Sequence, residues 1–375
     1  MPALDLSADV VSLTRQLVDI ESVSLDEQPI ADAVEAALSG CDHLTLTRIG
    51  NSIVARTRLG PELNPSGERV ILAGHLDTVP VNDNWPSRED DEWLHGLGTT
   101  DMKGGDAVIL KLAATLPRPN RDVTYVLYEA EEVAAVHNGL LKISQQAPEL
   151  LEADFAILME SSLAEVEAGC QGTLRVEVRT RGERAHSARA WTGSNAIHAA
   201  EPVLATLRAY QPRQPVIDGL TYHEGLNAVG ISGGVAGNVI PDECVVTVNY
   251  RFAPDRSEAE ALAHLEELFA GYELTVTDSS PGALPGLDRP AAREFVAAVG
   301  AEVRPKFGWT DVARFSALGV PAVNYGPGDA AYAHKQDEKV LKSRIVRCEQ
   351  ALRAWLTPTG PTTHDTDTER QEGMS

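Results

Sequence analysis

The chain has 375 residues, 43% hydrophobic and 23% charged, which is ordinary for a soluble globular protein and long enough for two domains with their own cores. The balance of 32 basic against 55 acidic residues gives a net charge of −23, which repels nucleic acid and anionic membrane surfaces, so neither is expected as a partner. Cys41, Cys170, Cys244 and Cys348 show no CxxC spacing, no apolar run approaches the roughly 18 residues that span a bilayer, and the N-terminus lacks a signal-peptide pattern, so a reduced, cytoplasmic protein is expected.

In chain order, 8–20 and 29–38 carry helical apolar spacing, strands are expected near 44–48 and 52–58, and the apolar run 69–74 leads straight into His75-Leu76-Asp77-Thr78-Val79-Pro80. The stretch 101–116 has the pattern of a helix whose Gly104-Gly105 start permits close backbone approach. The run 123–128 ends in Glu129-Ala130-Glu131-Glu132, a further helix is expected at 136–146, and 155–159 ends in Glu160. Three strands therefore deliver imidazole or carboxylate at their carboxyl ends, where open α/β sheets place their ligands. This is the βαβ rhythm of a mainly parallel sheet.

Near Cys170 the pattern changes. Residues 173–179 alternate strictly, as in a sheet with one wet face; strands at 227–232 and 244–252 and helices at 194–209 and 257–270 complete an α+β segment. Helical and strand patterns resume over 290–356. The expected organisation is an α/β catalytic domain built from 1–171 and 284–356, a smaller domain inserted at 172–283, and a polar, disordered tail at 357–375. There is no internal repeat.

Each motif has a bland alternative. Taken alone, His75 and Asp77 fit a capping pair in a turn, and His334, just after Gly326-Pro327-Gly328, fits a surface histidine. The stretch Gly96-Leu97-Gly98-Thr99-Thr100-Asp101 has only a superficial likeness to a dinucleotide fingerprint, because Asp101 stands where the third glycine belongs. At the start of the 101–116 helix Asp101 suits an N-cap, a role compatible with bridging metal ions. Carboxylates crowded behind a buried strand, such as Glu129, Glu131 and Glu132, raise one another's pKa unless a cation neutralises them. In a metal site one of an adjacent pair binds the ion while its neighbour takes the proton from water.

Together these residues resemble the M20 family of co-catalytic zinc aminoacylases and peptidases, over nearly the whole chain to about residue 356. The resemblance rests on the 75–80 block, on Gly98-Thr99-Thr100-Asp101-Met102-Lys103-Gly104-Gly105, on Glu131-Glu132, on Glu160, on Gly237-Asn238-Val239-Ile240-Pro241 and on the His334 segment. It implies an α/β, zinc-aminopeptidase-like catalytic domain with a mainly parallel sheet, and an inserted α+β, ferredoxin-like domain that serves dimerisation and acts as a lid. It also implies two Zn2+ per subunit, at ligands that accept Co2+ or Mn2+ as well. His75 and Glu160 would hold one ion, Glu132 and His334 the other, and Asp101 would bridge them. Asp77 would orient His75, and Glu131 would be the general base and acid.

Within that family the chain is most similar to the succinyl-diaminopimelate desuccinylases, through the blocks 167–173, 185–198 and 308–315. That likeness implies a homodimer in which His186 reaches the partner subunit's active site to stabilise the oxyanion, with Asn238, Arg251 and Gly308 holding substrate and Arg251 meeting a carboxylate. The chain departs from many relatives at Leu97 and at Glu160-Ser161-Ser162 without losing a ligand. It also has Arg189 where many desuccinylases carry tyrosine, and a guanidinium there suits a substrate with several carboxylates. The expected reaction is hydrolysis of a small N-acyl amino acid, N-succinyl-LL-2,6-diaminopimelate, in the making of lysine and cell-wall precursors. Another deacylase of this family, such as an acetylornithine deacetylase, or a dipeptidase would share the metals and differ in the pocket. A silent dimeric binding protein would lack a ligand or the base, and this chain lacks neither.

Overall fold

Residues 70–73 are completely buried, and a strand with no wet face has to lie inside a sheet covered on both sides. The computed structural model, which describes residues 3–357, shows that arrangement. Among the described residues an eight-stranded sheet runs in the order Leu44–Ile49, Ser52–Thr57, Asp122–Tyr128, Arg69–His75, Phe155–Leu158, Ala322–Asn324, Val166–Ala168, Val303–Pro305. Its middle strands, Asp122–Tyr128 through Ala322–Asn324, are parallel, and antiparallel pairs flank them. Parallel neighbours put their carboxyl ends on one edge of the sheet. His75, Glu129, Glu160 and the Gly326–Gly328 turn therefore emerge side by side.

Helices cover both faces of this sheet. Helix Val10–Val18 starts where the Asp9 carboxylate accepts the N–H groups of Val11 and Ser12, both at 3.0 Å, and it buries Val10, Leu13, Leu17 and Val18. Each such side chain contributes about 1.5–3 kcal/mol of transfer free energy. Helix Lys103–Thr115 packs beneath the strand ends, and its two glycines allow the contact: a Cβ on Gly105 would lie 2.4 Å from the carbonyl oxygen of Met159, and one on Gly104 would lie 2.7 Å from that of Thr99. Met102, whose side chain makes no capping bond, stands at the N-cap, so Asp101 does not cap this helix. The helix expected at 136–146 is a single turn, Ala135–His137, followed by helix Gly139–Gln146, with the Asn138 side chain capping the second.

The chain leaves this sheet after Ala168 and builds a second one, order Gly225–Gly233, Glu243–Phe252, Gly172–Arg181, Glu273–Ser280, antiparallel throughout. With helices Glu201–Ala209 and Glu258–Leu268 the succession is βαββαβ, the ferredoxin-like arrangement. Strand Glu243–Phe252 alternates as its sequence does, with Cys244, Val246, Val248, Tyr250 and Phe252 buried in a core shared with Val203, Ala261 and Leu265. Ser257 and Glu260 form a reciprocal capping box at the second helix. The polar C-terminal stretch expected to be disordered lies, beyond Thr357, outside the described residues. No helix among the described residues is long and apolar enough to cross a membrane.

Candidate metal centre

The neighbouring strand ends bring together donors that are far apart in sequence. His75, Asp101 and Glu160 present ligand atoms within 4.8 Å of one another, as do Asp101, Glu132 and His334, and as do His75, Glu131 and Glu132. Asp101 belongs to two of these groups and faces both histidines, with Oδ1 at 3.3 Å from His75 Nε2 and Oδ2 at 3.3 Å from His334 Nε2. His334 Nε2 also lies 2.8 Å from Glu132 Oε1. The ligands expected for two ions thus converge on one place, with Asp101 between them.

His75 is oriented for the task. Its Nδ1 lies 3.0 Å from the main-chain oxygen of Asp77, an atom that can only accept, so Nδ1 carries a hydrogen and Nε2 faces the cluster, where its lone pair would serve a cation once the proton there is displaced. The Asp77 carboxylate is farther from that nitrogen, 3.4 Å, and is engaged elsewhere: it accepts the N–H groups of Glu131 at 2.9 Å and Glu132 at 3.1 Å and the hydroxyl of Ser24 at 2.7 Å. Two non-glycine residues of the site, Ala130 at φ 57° and His334 at φ 61°, adopt the left-handed backbone region, at a cost of roughly 1–3 kcal/mol each.

The electrostatics are those of anions crowded together. Burial, with Asp311, Glu160 and Glu132 adding to it, pushes the Glu131 carboxyl well above the usual range against the opposing pull of His75. Burial and the Asp101 carboxylate push Glu160 up to about 7. Hydrogen bonds to Asp101 and Glu132 raise His334 to about 10. Burial opposes the charged form of His75, yet its bonds to Asp101 and Asp77 outweigh that and raise it. A cluster that balances its charge by gathering protons is chemically fitted to divalent cations, which displace those protons. Imidazole and carboxylate donors of this kind suit zinc, cobalt or manganese.

Other expected site residues lie elsewhere. Glu129 turns away, accepting the N–H of Asn51 at 3.0 Å and pairing with Lys142 at 2.7 Å. His186 sits on the two-residue strand Ala185–His186, exposed, with Nδ1 accepting the N–H of Ala188 at 3.0 Å. That strand pairs with Val239–Ile240, and the carbonyl of Asn238 accepts the N–H of Ser187 at 2.9 Å, so His186 and Asn238 are neighbours. Arg189 is exposed in the following turn and Gly308 is exposed in the loop before helix Val312–Ala317; Arg251 is half-buried on the inserted sheet, beside Arg175. Among the described residues no hydrogen bond or ion pair joins these five to the metal-ligand cluster.

Sequence reasoning missed the residues that support the cluster. The Ser161 hydroxyl donates to the carbonyl of Thr100 at 2.7 Å, tying the turn of Glu160 to that of Asp101. Lys306 Nζ lies 2.6 Å from Glu167, and although burial opposes its charge, the carboxylates of Glu167 and Glu160 hold its pKa up. Asp311, fully buried, accepts from Asn138 Nδ2 at 2.8 Å and pairs with Arg314. Their sequence signals are faint, because a lone serine, lysine or aspartate in a loop announces nothing until its partner is known.

The comparisons with known proteins agree with this geometry. Residues 71–357 match the model of peptidase family M20/M25/M40. A putative succinyl-diaminopimelate desuccinylase of Mycobacterium tuberculosis is 53% identical over 356 residues, covering 94% of this chain and 99% of that protein. The succinyl-diaminopimelate desuccinylase of Corynebacterium glutamicum is 46% identical over 367 residues, covering 95% and 98%. Among solved structures, the aminopeptidase PepT of Bacillus cereus superposes with a TM-score of 0.76 at 16% identity over 94% of this chain and 98% of that one, a likeness of fold. The chain belongs to peptidase family M20/M25/M40 and is a metal-dependent hydrolase.

Proposed function

We propose that this protein is a succinyl-diaminopimelate desuccinylase, which hydrolyses N-succinyl-LL-2,6-diaminopimelate to succinate and LL-2,6-diaminopimelate. The observation that carries the substrate assignment is the identity of 46–53%, over nearly the full length, to proteins of that name. The product is a precursor of lysine and peptidoglycan, and the enzyme works in the cytoplasm as a homodimer.

In this reading His75, Asp101 and Glu160 would hold one Zn2+, and Asp101, Glu132 and His334 would hold the other. Two bound divalent cations supply the positive charge that acidifies a water and polarises the amide carbonyl. Glu131 does the proton work. Its main chain is pinned by Asp77, and its carboxyl accepts a proton from the attacking water and passes it to the leaving amine. Its buried, anion-rich surroundings favour the protonated form, which strengthens it as the acceptor of that proton. His186 from the partner subunit donates to the oxyanion of the tetrahedral intermediate, supplying the hydrogen bond that its own protomer does not bring to the cluster. Arg251 meets a substrate carboxylate, with Arg189, Asn238 and Gly308 completing the contacts. The large sheet, from 1–171 and 284–356, forms the catalytic domain, and 172–283 forms the lid and dimer interface.

The test is hydrolysis of N-succinyl-LL-diaminopimelate by the zinc-loaded protein, with N-acetylornithine and a dipeptide assayed alongside. Selective turnover of the succinyl substrate, abolished by a chelator and restored by zinc, is expected. Turnover of another substrate alone would keep the metal centre and discard this specificity, and no turnover of any would leave a binding protein.

A further inference from the structure

Four residues beyond His334 the chain carries Glu338, a carboxylate only 1% exposed. Its Oε1 accepts two successive main-chain N–H groups, from Thr100 at 3.0 Å and from Asp101 at 3.2 Å. Two adjacent N–H groups aimed at one oxygen make a small anion-binding nest, and here the anion comes from the segment that carries the other histidine ligand. Thr100 adds to the same joint through its side chain. The hydroxyl donates to the carbonyl of Lys339 at 2.9 Å and accepts the N–H of Asp329 at 3.2 Å. Behind it, the carbonyl of Glu338 accepts the N–H of Gly96 at 3.0 Å.

These bonds join the two pieces directly, although each is also held from another side: Ser161 donates to the Thr100 carbonyl, and Lys339–Leu341 pairs with Trp93–His95. Asp101 lies in a turn before helix Lys103–Thr115, and His334 lies in an irregular stretch, half exposed and with its backbone in the left-handed region. Donors on loops hold a geometry less well than donors on strands. Yet Asp101 and His334 belong to the same candidate ligand group, with Glu132. The distance between two of its three donors is therefore set by what ties the 98–101 turn to the 329–339 segment.

We propose that Glu338 is a positioning residue for the metal position formed by Asp101, Glu132 and His334: its carboxylate, seated on the N–H groups of Thr100 and Asp101, sets Asp101 against His334 and thereby the affinity of that position. The inference rests on the two-metal reading above. Glu338 touches neither metal nor substrate. What matters is the reach of an acceptor oxygen more than its charge, because the partners are two neutral N–H groups.

The test is zinc binding by the purified full chain in competition with a chromophoric chelator, which yields two successive affinities without reference to turnover. Glu338→Gln keeps an acceptor oxygen at the same reach and removes the charge. Glu338→Asp keeps the charge and withdraws the oxygens by one methylene. Glu338→Asp is expected to weaken one of the two affinities by about 10–100-fold and the other by less, and Glu338→Gln to stay close to the parent. Parent-like affinities in Glu338→Asp would overturn the assignment, and so would a loss in Glu338→Gln as large as that in Glu338→Asp, which would make charge the decisive property. If circular dichroism shows that Glu338→Asp does not fold, Thr100→Val takes its place: it removes the hydroxyl bonds to Lys339 and Asp329 and must weaken the same affinity, no change overturning the role. A parent protein that binds no zinc would sink the two-metal reading itself. A parent that binds two ions beside an unaffected Glu338→Asp would sink only the role of Glu338.

Discussion

The Asp77 carboxylate accepts the main-chain N–H of Glu131 at 2.9 Å, so the residue expected to steer a metal ligand also holds the proposed general base. His75 donates its closest hydrogen bond to the Asp77 backbone carbonyl, which survives any side-chain replacement. Asp77→Ala should therefore lower kcat by about 10–100-fold, as supporting residues of metal sites do, while zinc affinity falls less. Steady-state kinetics with saturating zinc, beside a chelator-competition titration, separates the two. A loss confined to zinc affinity would return Asp77 to a purely ligand-orienting role.

Glu131→Gln keeps the size of the side chain and removes its capacity to accept the water proton. The expected loss in kcat is about 10²–10⁴-fold, with two zinc ions still bound, because His75, Asp101, Glu132, Glu160 and His334 remain. Metal content by atomic emission, together with kcat, checks this. Full turnover in the variant would remove Glu131 from proton transfer.

His186 is exposed, and the one hydrogen bond of its side chain among the described residues is the local one from the N–H of Ala188. If it serves the partner subunit, His186→Ala and Glu131→Gln are each inactive alone, yet mixing them under conditions that exchange subunits restores activity. One site of the mixed dimer then has both an intact base and an intact histidine. Mixed variants that stay inactive while exchanging subunits would place His186 outside the reaction or within its own protomer's site.

Stability of the inserted domain depends on one buried carboxylate. Glu224 accepts from Arg213 at 2.7 Å, from the Tyr250 hydroxyl at 2.9 Å and from the N–H of Ala253 at 3.1 Å, and its side chain is wholly buried. Glu224→Ala leaves the Tyr250 hydroxyl and the Ala253 N–H without this acceptor and Arg213 with Asp255 alone, and should cost about 3 kcal/mol of unfolding free energy, read by urea denaturation. A cost within that of an ordinary surface change would show that water replaces the lost oxygen atoms.

Burial pushes the Cys170 thiol up to about 11 and that of Cys348 up to about 12. The folded chain keeps these protons at a pH where the unfolded chain has begun to lose them. Their contribution to stability is therefore present below pH 9 and is lost as pH rises through the folded values. Tm should fall between pH 9 and 11, and at pH 8 iodoacetamide should label the part-exposed Cys41 ahead of the three buried thiols. Rapid labelling of Cys170 in the folded protein would contradict its burial.

Much of the fold was legible because burial and periodicity are local. The alternation over 173–179 and 244–252 became strands Gly172–Arg181 and Glu243–Phe252, and the apolar run at 69–74 became the strand that ends at His75. The edge strand Glu273–Ser280 escaped notice, since most of its side chains are exposed and its alternation is confined to Leu274 and Val276. The helix expected to begin at 194 begins instead at Glu201, with Pro202 in its first turn; before it, the Asn195 side chain takes the N–H of Ile197 and holds the chain in a turn. The supporting bonds of the site, Ser161 to Thr100 and Glu338 to Asp101, link residues far apart in sequence, and neither end carries a pattern of its own.

The sequence by itself determined the kind of site: which donors exist, that His75, Glu131, Glu132 and Glu160 follow buried strands, and that an adjacent pair of glutamates is available to share binding and proton transfer. Those are properties of neighbours along the chain, fixed by side-chain chemistry and strand burial. Only the tertiary structure decided which donors meet. The parallel strand order set His75 beside Glu160, the bonds of the 98–101 turn set Asp101 between His75 and His334, and the pairing with Lys142 drew Glu129 away from its acidic neighbours. Convergence of side chains a few ångströms apart depends on sheet order and on hydrogen bonds between distant segments, and no local preference of the chain encodes either.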